Sequence, residues 1–336
     1  VQRTKRVQQG REKMGIIEAR ELVKKFKSIT AVDGISFDVP QGELFGILGP
    51  NGAGKTTTIK MLTTLLMPTS GSAFVAGFDV YRQRDEIRES IGIVFQNVAL
   101  DLYMTGRENL EFHAWMYDMP GKLMRDRIKE ILKLVELSGR ADDLVETYSG
   151  GMRRRLEIAR GLMHRPKILF MDEPTLGLDA QTRRRIWEYI RVLNKGEKIT
   201  IILTAHYMEE ADFLCERVGI IDRGRIVAMD SPENLKGIIG SDSVTLDVDS
   251  GDCGLFEQLG FVKSCGKTGG LFSLNVEDGE GKIPEIMLFA QAHGIKVRRV
   301  GLKRPSLEDV FLKFTGTKIR EGSGTEEEEE EETGRQ

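Results

Sequence analysis

Apolar and polar positions alternate most clearly at Ile35-Ser36-Phe37-Asp38-Val39, which predicts a half-buried strand. Residues 15–40 read as strands joined by a short loop, and Pro40-Gln41-Gly42 as a turn. Glu43 to Leu48 is a short apolar strand that runs straight into a glycine-rich segment. From Lys55 the spacing predicts a helix with Ile59, Leu62, Leu65 and Leu66 on one face, ended by Pro68-Thr69-Ser70-Gly71. Ile91–Phe95 reads as a further strand. Between residues 97 and 147 strand patterns vanish, and Ile128, Ile131, Leu132 and Val135 fall at helical spacing among charges. The α/β pattern returns at Lys167. Ile168–Met171 and Ile199–Leu203 are runs suited to buried parallel strands, with a crossover helix over Thr182–Leu193 between them. A hairpin follows around Asp222-Arg223-Gly224-Arg225.

After Pro232 the pattern restarts. Strands are predicted near 243–248, 261–265, 271–276 and 295–300, and helices over 283–293 and 306–314. The first of these helices and the strands suggest a small β-α-β-β-α-β unit. The expected division is a basic leader over 1–13, an α/β unit over 14–232 with a helical insertion over about 97–165, a small α+β unit over 233–316, and an acidic tail over 317–336. Leader and tail are expected to be disordered. In the tail, seven successive glutamates, Glu326 to Glu332, repel one another and have nothing to bury.

Composition narrows the function classes. The chain has 336 residues, room for two domains. A net charge of -3 and the lack of a basic stripe argue against a nucleic-acid partner. Cys215, Cys253 and Cys265 are scattered and odd in number, and with only four histidines they point to a reducing cytosol without structural zinc. No run approaches the ~18 apolar residues of a membrane span.

The chemistry is carried by Gly49-Pro50-Asn51-Gly52-Ala53-Gly54-Lys55-Thr56, a strand-to-helix loop of the form GxxxxGK[ST]. Its glycines let backbone N–H groups turn towards phosphate oxygens, and the helix adds its positive end. Lys55 is suited to the β- and γ-phosphates, and the Thr56 hydroxyl to Mg²⁺. Asp172 and Glu173 end an apolar strand, at the edge where open α/β sheets bind ligands. One carboxylate can hold Mg²⁺ through water; the other can orient the attacking water or take its proton. Ser149-Gly150-Gly151 opens a helix on which Met152, Leu156, Ala159 and Met163 share a face. Ser149 is a natural N-cap, and the open N–H groups make a second anion site. Arg153, Arg154, Arg155 and Arg160 read as partly a solvated face and partly an aid to anion attraction.

Taken in order, these segments resemble the nucleotide-binding subunit of an ABC transporter over roughly residues 15–230. The phosphate loop is Gly49–Thr57, so that Thr57 joins its contacts. Gln96 matches the Q-loop, Tyr148–Met152 the signature usually written LSGGQ, Ile168–Glu173 the Walker B strand and catalytic glutamate, Gly177-Leu178-Asp179 the D-loop, and His206 the switch histidine. The resemblance implies an α/β P-loop NTPase cassette with a RecA-like core, an antiparallel β subdomain and a helical subdomain. It implies ATP and Mg²⁺ as ligands, with Thr56, Gln96 and Asp172 towards the metal. Lys55, Gln96, Glu173 and His206 would act in hydrolysis. Ser149, Gly150, Gly151 and Asp179 would face nucleotide across a head-to-tail pair formed with a second copy or a sister cassette. The sequence departs from the family pattern at Tyr148 and Met152, and at Phe26, which would replace the usual adenine-stacking tyrosine.

Tyr148–Glu157 and Arg304–Phe311 are similar to the daunorubicin-resistance type of exporter ATPase. That resemblance implies an ABC-2 type permease as partner and a place at the cytoplasmic face of the membrane, held there through the permease. The alternatives are a soluble ABC ATPase working on ribosomes or DNA, and an importer ATPase, because the core motifs do not set direction.

Overall fold

The computed structural model describes residues 15–97 and 99–316; the expected leader and acidic tail lie outside them. The first sheet is antiparallel. It is built from β1 (Ile17–Phe26), β2 (Ile29–Val39), β4 (Ser70–Val75) and β5 (Phe78–Asp79), in the order β2-β1-β4-β5. The predicted alternation on β2 is real: Ile35, Phe37 and Val39 are buried and Ser36 is exposed.

The second sheet has six strands in the order β10-β9-β3-β8-β7-β6. They are β3 (Leu44–Leu48), β6 (Ile91–Val94), β7 (Ile168–Asp172), β8 (Thr200–Ala205), β9 (Arg217–Asp222) and β10 (Arg225–Asp230). All its pairings are parallel except the β9–β10 hairpin. Residues of β3, β7 and β8 are buried throughout, as expected for parallel strands covered on both faces. One core lies between the two sheets and includes Phe37 stacked on Phe45.

Helices α1 (Lys55–Leu62) and α2 (Arg84–Ser90) add Ile59, Met61, Leu62 and Ile87 to this core, and α3 (Gly106–Met116), α4 (Gly121–Leu134), α5 (Gly150–Gly161), α6 (Ala180–Glu197) and α7 (Met208–Leu214) build the core on the other face. Helices α3, α4 and α5 form the predicted insertion, with Ile128, Ile131, Leu132 and Val135 in its core. Helix α1 is shorter than expected. The Thr63 hydroxyl bonds back to the Ile59 carbonyl and Thr64 takes a left-handed φ of 62°, which ends the helix at Leu62 and leaves Leu65 exposed.

Helix α8 (Pro232–Ile239) leads to a third sheet of β11 (Asp242–Val248), β12 (Val262–Thr268), β13 (Leu271–Val276) and β14 (Val297–Lys303), followed by α10 (Leu307–Thr315). Its strand order, β12-β13-β11-β14, is the split β-α-β arrangement predicted, with α9 (Gly279–Ala292) as its second helix. The first helix is only a 3-10 turn over Cys253–Gln258. Helix α10 does not join this unit's core. Leu307, Val310 and Phe311 pack into the core that holds Ala211 and Leu214 of α7.

The cysteine reading needs correction. Cys253 in the 3-10 turn and Cys265 on β12 form a disulfide, with Cα atoms 5.8 Å apart. In a reducing compartment the same two residues would stand side by side as thiols, so their proximity does not by itself assign the compartment. Their pairing depends on the turn folding back over the strand, which spacing alone does not show. Cys215 is buried and free.

Candidate functional site

Strand register brings the candidate groups together. Leu48 pairs with Ala205, Asp172 with Thr204, and Val94 with Met171. The chain therefore leaves β3, β8, β7 and β6 on the same edge, into the Gly49–Thr56 loop, His206, Glu173 and Gln96 respectively. Two loop glycines cannot carry a side chain. A Cβ on Gly49 would lie 2.4 Å from the Ile221 carbonyl oxygen. On Gly54, at φ 106°, it would lie 2.4 Å from that of Ala31. The loop is thus seated between the hairpin of β9–β10 and that of β1–β2, with Asn51 and Gly52 exposed at its tip and Pro50, Ala53 and Thr57 less so.

Lys55 is buried. Its Nζ donates to the carbonyls of Gly49 and Pro50 at 3.0 and 3.3 Å and lies 3.4 Å from Glu173 Oε1. The Thr56 hydroxyl donates to Asp172 Oδ1 at 3.2 Å. The Thr204 hydroxyl donates to the same oxygen at 2.5 Å and accepts from the Glu173 amide at 2.9 Å. Glu173 sits at φ 44°, a left-handed conformation that strains any side chain larger than glycine's. The hydroxyl and carboxylate of Thr56 and Asp172 converge as hard oxygen donors, the chemistry Mg²⁺ takes. Gln96 is exposed and makes no side-chain hydrogen bond among the described residues, so it is not drawn into this group. His206 is half-buried, its ring edge-on to Tyr207 with centroids 5.2 Å apart. Phe26 is 43% exposed, with Lys24 Nζ 5.0 Å from its ring centre.

The Ser149 segment lies elsewhere. Ser149 caps α5, accepting from the Met152 amide at 3.3 Å. The nearest atoms to a Cβ placed on Gly150 or Gly151 belong to Leu178 and Thr182, at 3.4 and 2.6 Å. Asp179 caps α6 through the Thr182 amide and hydroxyl, and the hydroxyl bond holds its carboxyl below the usual range. Tyr148 has a structural reason. It is buried, and its hydroxyl donates to the Arg140 carbonyl at 2.5 Å.

Sequence reasoning missed several groups. Arg154 belongs to no solvated face: it is 4% exposed and paired with Glu157. The opposite charges three residues apart were the available signal. Thr204 and Glu210 had none, because their partners come from other strands and helices. Glu210, on α7 behind His206, accepts from Thr175 Oγ1 at 2.8 Å and from Trp187 Nε1 at 2.9 Å. Burial pushes its carboxyl up to about 7. The unfolded chain releases that proton near pH 4.5, so folding takes up a proton between the two values. Stability therefore falls as pH rises through this window and levels off above it, by on the order of 3 kcal/mol. Glu210→Gln keeps an acceptor for both donors. It is expected to flatten the fall in denaturation midpoint between pH 5 and pH 7, measured by urea unfolding.

Two family profiles match the chain. That of the ABC transporter covers residues 32–176. That of the C-terminal domain of DrrA1-3-like ATP-binding proteins covers residues 231–315. The daunorubicin resistance ATP-binding protein DrrA2 of Streptomyces coeruleorubidus is 39% identical, the alignment spanning 89% of this chain and 95% of that protein. This chain belongs to the ABC transporter ATP-binding family, as a daunorubicin-resistance-type ATPase. The linearmycin resistance ATP-binding protein LnrL of Bacillus subtilis is 37% identical over 91% of this chain and all of its own length. Among solved structures, the dimeric post-hydrolysis state of the cassette MJ0796 with ADP and Pi superposes with a TM-score of 0.58 at 29% identity, covering 64% of this chain and 98% of that one. The α/β sheet with its phosphate loop is accordingly an ABC ATPase fold, and the protein is a nucleotide-binding ATPase. Among the described residues, no helix is long and apolar enough to cross a membrane.

Proposed function

We propose that this ATPase powers an ABC-2 type export permease from the cytoplasmic face of the membrane, through ATP-driven head-to-tail pairing with a second copy or a sister cassette. The observation that carries the pairing is the separation of the two anion-binding elements. Ser149 and Gly150 at the start of α5 are exposed, Gly150 and Gly151 have Leu178 and Thr182 as nearest neighbours, and among the described residues no hydrogen bond or ion pair joins Ser149 to the chain's own phosphate loop. A second chain can supply the missing half.

In such a pair, Lys55 and the backbone N–H groups of the loop over residues 49–57, Pro50 excepted, hold the phosphates, and Phe26 stacks on the base. Thr56 and Asp172 are positioned to hold Mg²⁺, with Gln96 drawn in beside them. If Mg²⁺ were held there, it would supply positive charge to offset that of the phosphates. Glu173 orients water and takes its proton, and His206 holds the γ-phosphate in line. Ser149, Gly150 and Gly151 of the facing chain bind that γ-phosphate, and Asp179 lies beside them. These contacts exist only before hydrolysis, so the two nucleotide states differ in dimer affinity, the requirement for a ligand-driven switch.

An apolar groove supports the permease partner. A cavity of about 460 Å³ lies between the β6 edge and α3, lined by Leu65, Phe95, Phe112 and Met116. These side chains are 37–66% exposed. Burial, with Arg160 nearby, lowers the pKa of His113 in its wall to about 4, so that imidazole is neutral at neutral pH, and the charges of the lining come from Arg88, Asp101 and Arg160. An apolar patch of this kind marks an interaction site, and a helix of a membrane partner fits it. The relatives' names, daunorubicin and linearmycin resistance, favour export. In its source cells the chain is expected to float with membranes. Phe112→Asp with Met116→Asp should release it to the soluble fraction while MgATP binding per chain is unchanged. Equal partition of both forms would contradict this reading.

A further inference from the structure

The buried Arg154 guanidinium bonds to groups from several segments of the chain. It stands in the second turn of α5, the helix that Ser149 caps. Its Nε donates to the Pro174 carbonyl at 2.5 Å. Nη1 donates to the Phe95 carbonyl at 2.5 Å and to Glu157 Oε2 at 2.9 Å. Nη2 lies 3.3 and 3.4 Å from the carbonyls of Asp172 and Glu173. One guanidinium thus reaches the residue before Gln96 and three successive carbonyls around the strained Glu173. Glu157 completes the arrangement. It is fully buried, and its other oxygen accepts from the Ala99 amide at 3.1 Å. Arg160, on the next turn, donates to the Ala99 carbonyl at 2.7 Å. Helix α5 therefore grips the chain on both sides of Gln96 and the backbone on both sides of Glu173.

A buried ion pair is a poor device for stability, because desolvation offsets much of the attraction. Burial is the leading influence on both groups, drawing the guanidinium pKa down and the carboxyl pKa up. Such a pair is better suited to fixing one geometry, and the planar arginine fork does this where a lysine ammonium cannot.

The geometry points to Arg154, with Glu157, as a positioning pair that ties the Ser149 helix to Gln96 and Glu173 of the same chain. A shift of α5 when Ser149 engages a facing nucleotide is thereby passed to the hydrolytic groups of its own site. This rests on the roles given above to Glu173 and Gln96. Arg154 touches no reacting atom; it acts through the backbone that aims Glu173.

The test uses the full chain carrying Arg154→Gln with Glu157→Gln, a neutral pair; Arg160, which also lies 3.5 Å from Glu157, keeps its bond to the Ala99 carbonyl and its side chain is 17% exposed. Arg154→Lys and Glu173→Gln are made alongside. The double variant is expected to bind one MgATP per chain with KM within about threefold, while kcat falls about a hundredfold, the loss that small misplacements of reacting groups produce. Without nucleotide, the amides of Ala99 and Glu173 should exchange hydrogen faster while those of the β11–β14 sheet are unchanged, a local loosening that general destabilisation would not give. Arg154→Lys should also stay below a tenth of the normal kcat. Normal kcat or normal exchange in the double variant would overturn the inference, as would a kcat loss matched by lost binding stoichiometry. Should that variant not fold, a near-normal lysine variant has the same force. If Glu173→Gln itself turned over normally, the underlying reading would fail instead.

Discussion

Glu173→Gln should bind MgATP as tightly as the native chain and hydrolyse it about 10²–10⁴ times more slowly, the range over which a positioned general base contributes. The amide keeps the size of the carboxylate and leaves the Thr204 bond to the Glu173 backbone intact. What it loses is the ability to accept a proton from water. It also loses the ion pair with Lys55, now 3.4 Å away. Lys55 Nζ retains the Gly49 and Pro50 carbonyls, so the loop keeps its shape. Single-turnover hydrolysis and equilibrium nucleotide binding, measured on the same preparation, separate the two effects. Native turnover would remove Glu173 from its assigned role.

Lys55→Ala should weaken nucleotide binding by roughly ten- to two-hundredfold, the worth of a charge-assisted hydrogen bond of about 1.5–3 kcal/mol. It carries a second effect. Lys55 and Glu173 are both buried and paired. Removing one leaves the other charge buried and unmatched, which costs about 3 kcal/mol of stability. Adding Glu173→Gln to Lys55→Ala should therefore restore the unfolding midpoint without restoring affinity. Nucleotide titration and thermal unfolding of the single and double variants check both halves. Unchanged binding in Lys55→Ala would contradict the phosphate-loop reading.

The short buried strands were legible because parallel strands covered on both faces need continuous apolar runs, as Ile168–Met171 and Ile199–Leu203 have. Once those strands pair, register puts Glu173, His206 and Gln96 beyond strand ends on one edge, beside the loop that leads to Lys55. What escaped depends on contacts between distant segments. Arg154 reads with Arg153, Arg155 and Arg160 as part of a partly solvated face until carbonyls at the ends of β7 and β6 surround it. Glu210 resembles any acidic residue in a helix's first turn until Trp187 and Thr175 close over it. The Cys253–Cys265 bridge needs a turn whose shape spacing does not reveal. Tyr148 reads as a departure from the family pattern, yet its ring is held in the helical core by the Arg140 carbonyl, while the neighbouring Ser149 is exposed.

The shared site is tested by the mass of Glu173→Gln in solution, with and without saturating MgATP, measured by light scattering. A slow hydrolyser holds the γ-phosphate in place, so chains that complete one another's sites should move from monomer to dimer on adding ATP, remain monomeric with ADP, and fail to pair when Ser149→Arg is added. A chain that binds one ATP and stays monomeric, or a dimer indifferent to Ser149→Arg, would contradict the proposed composite site.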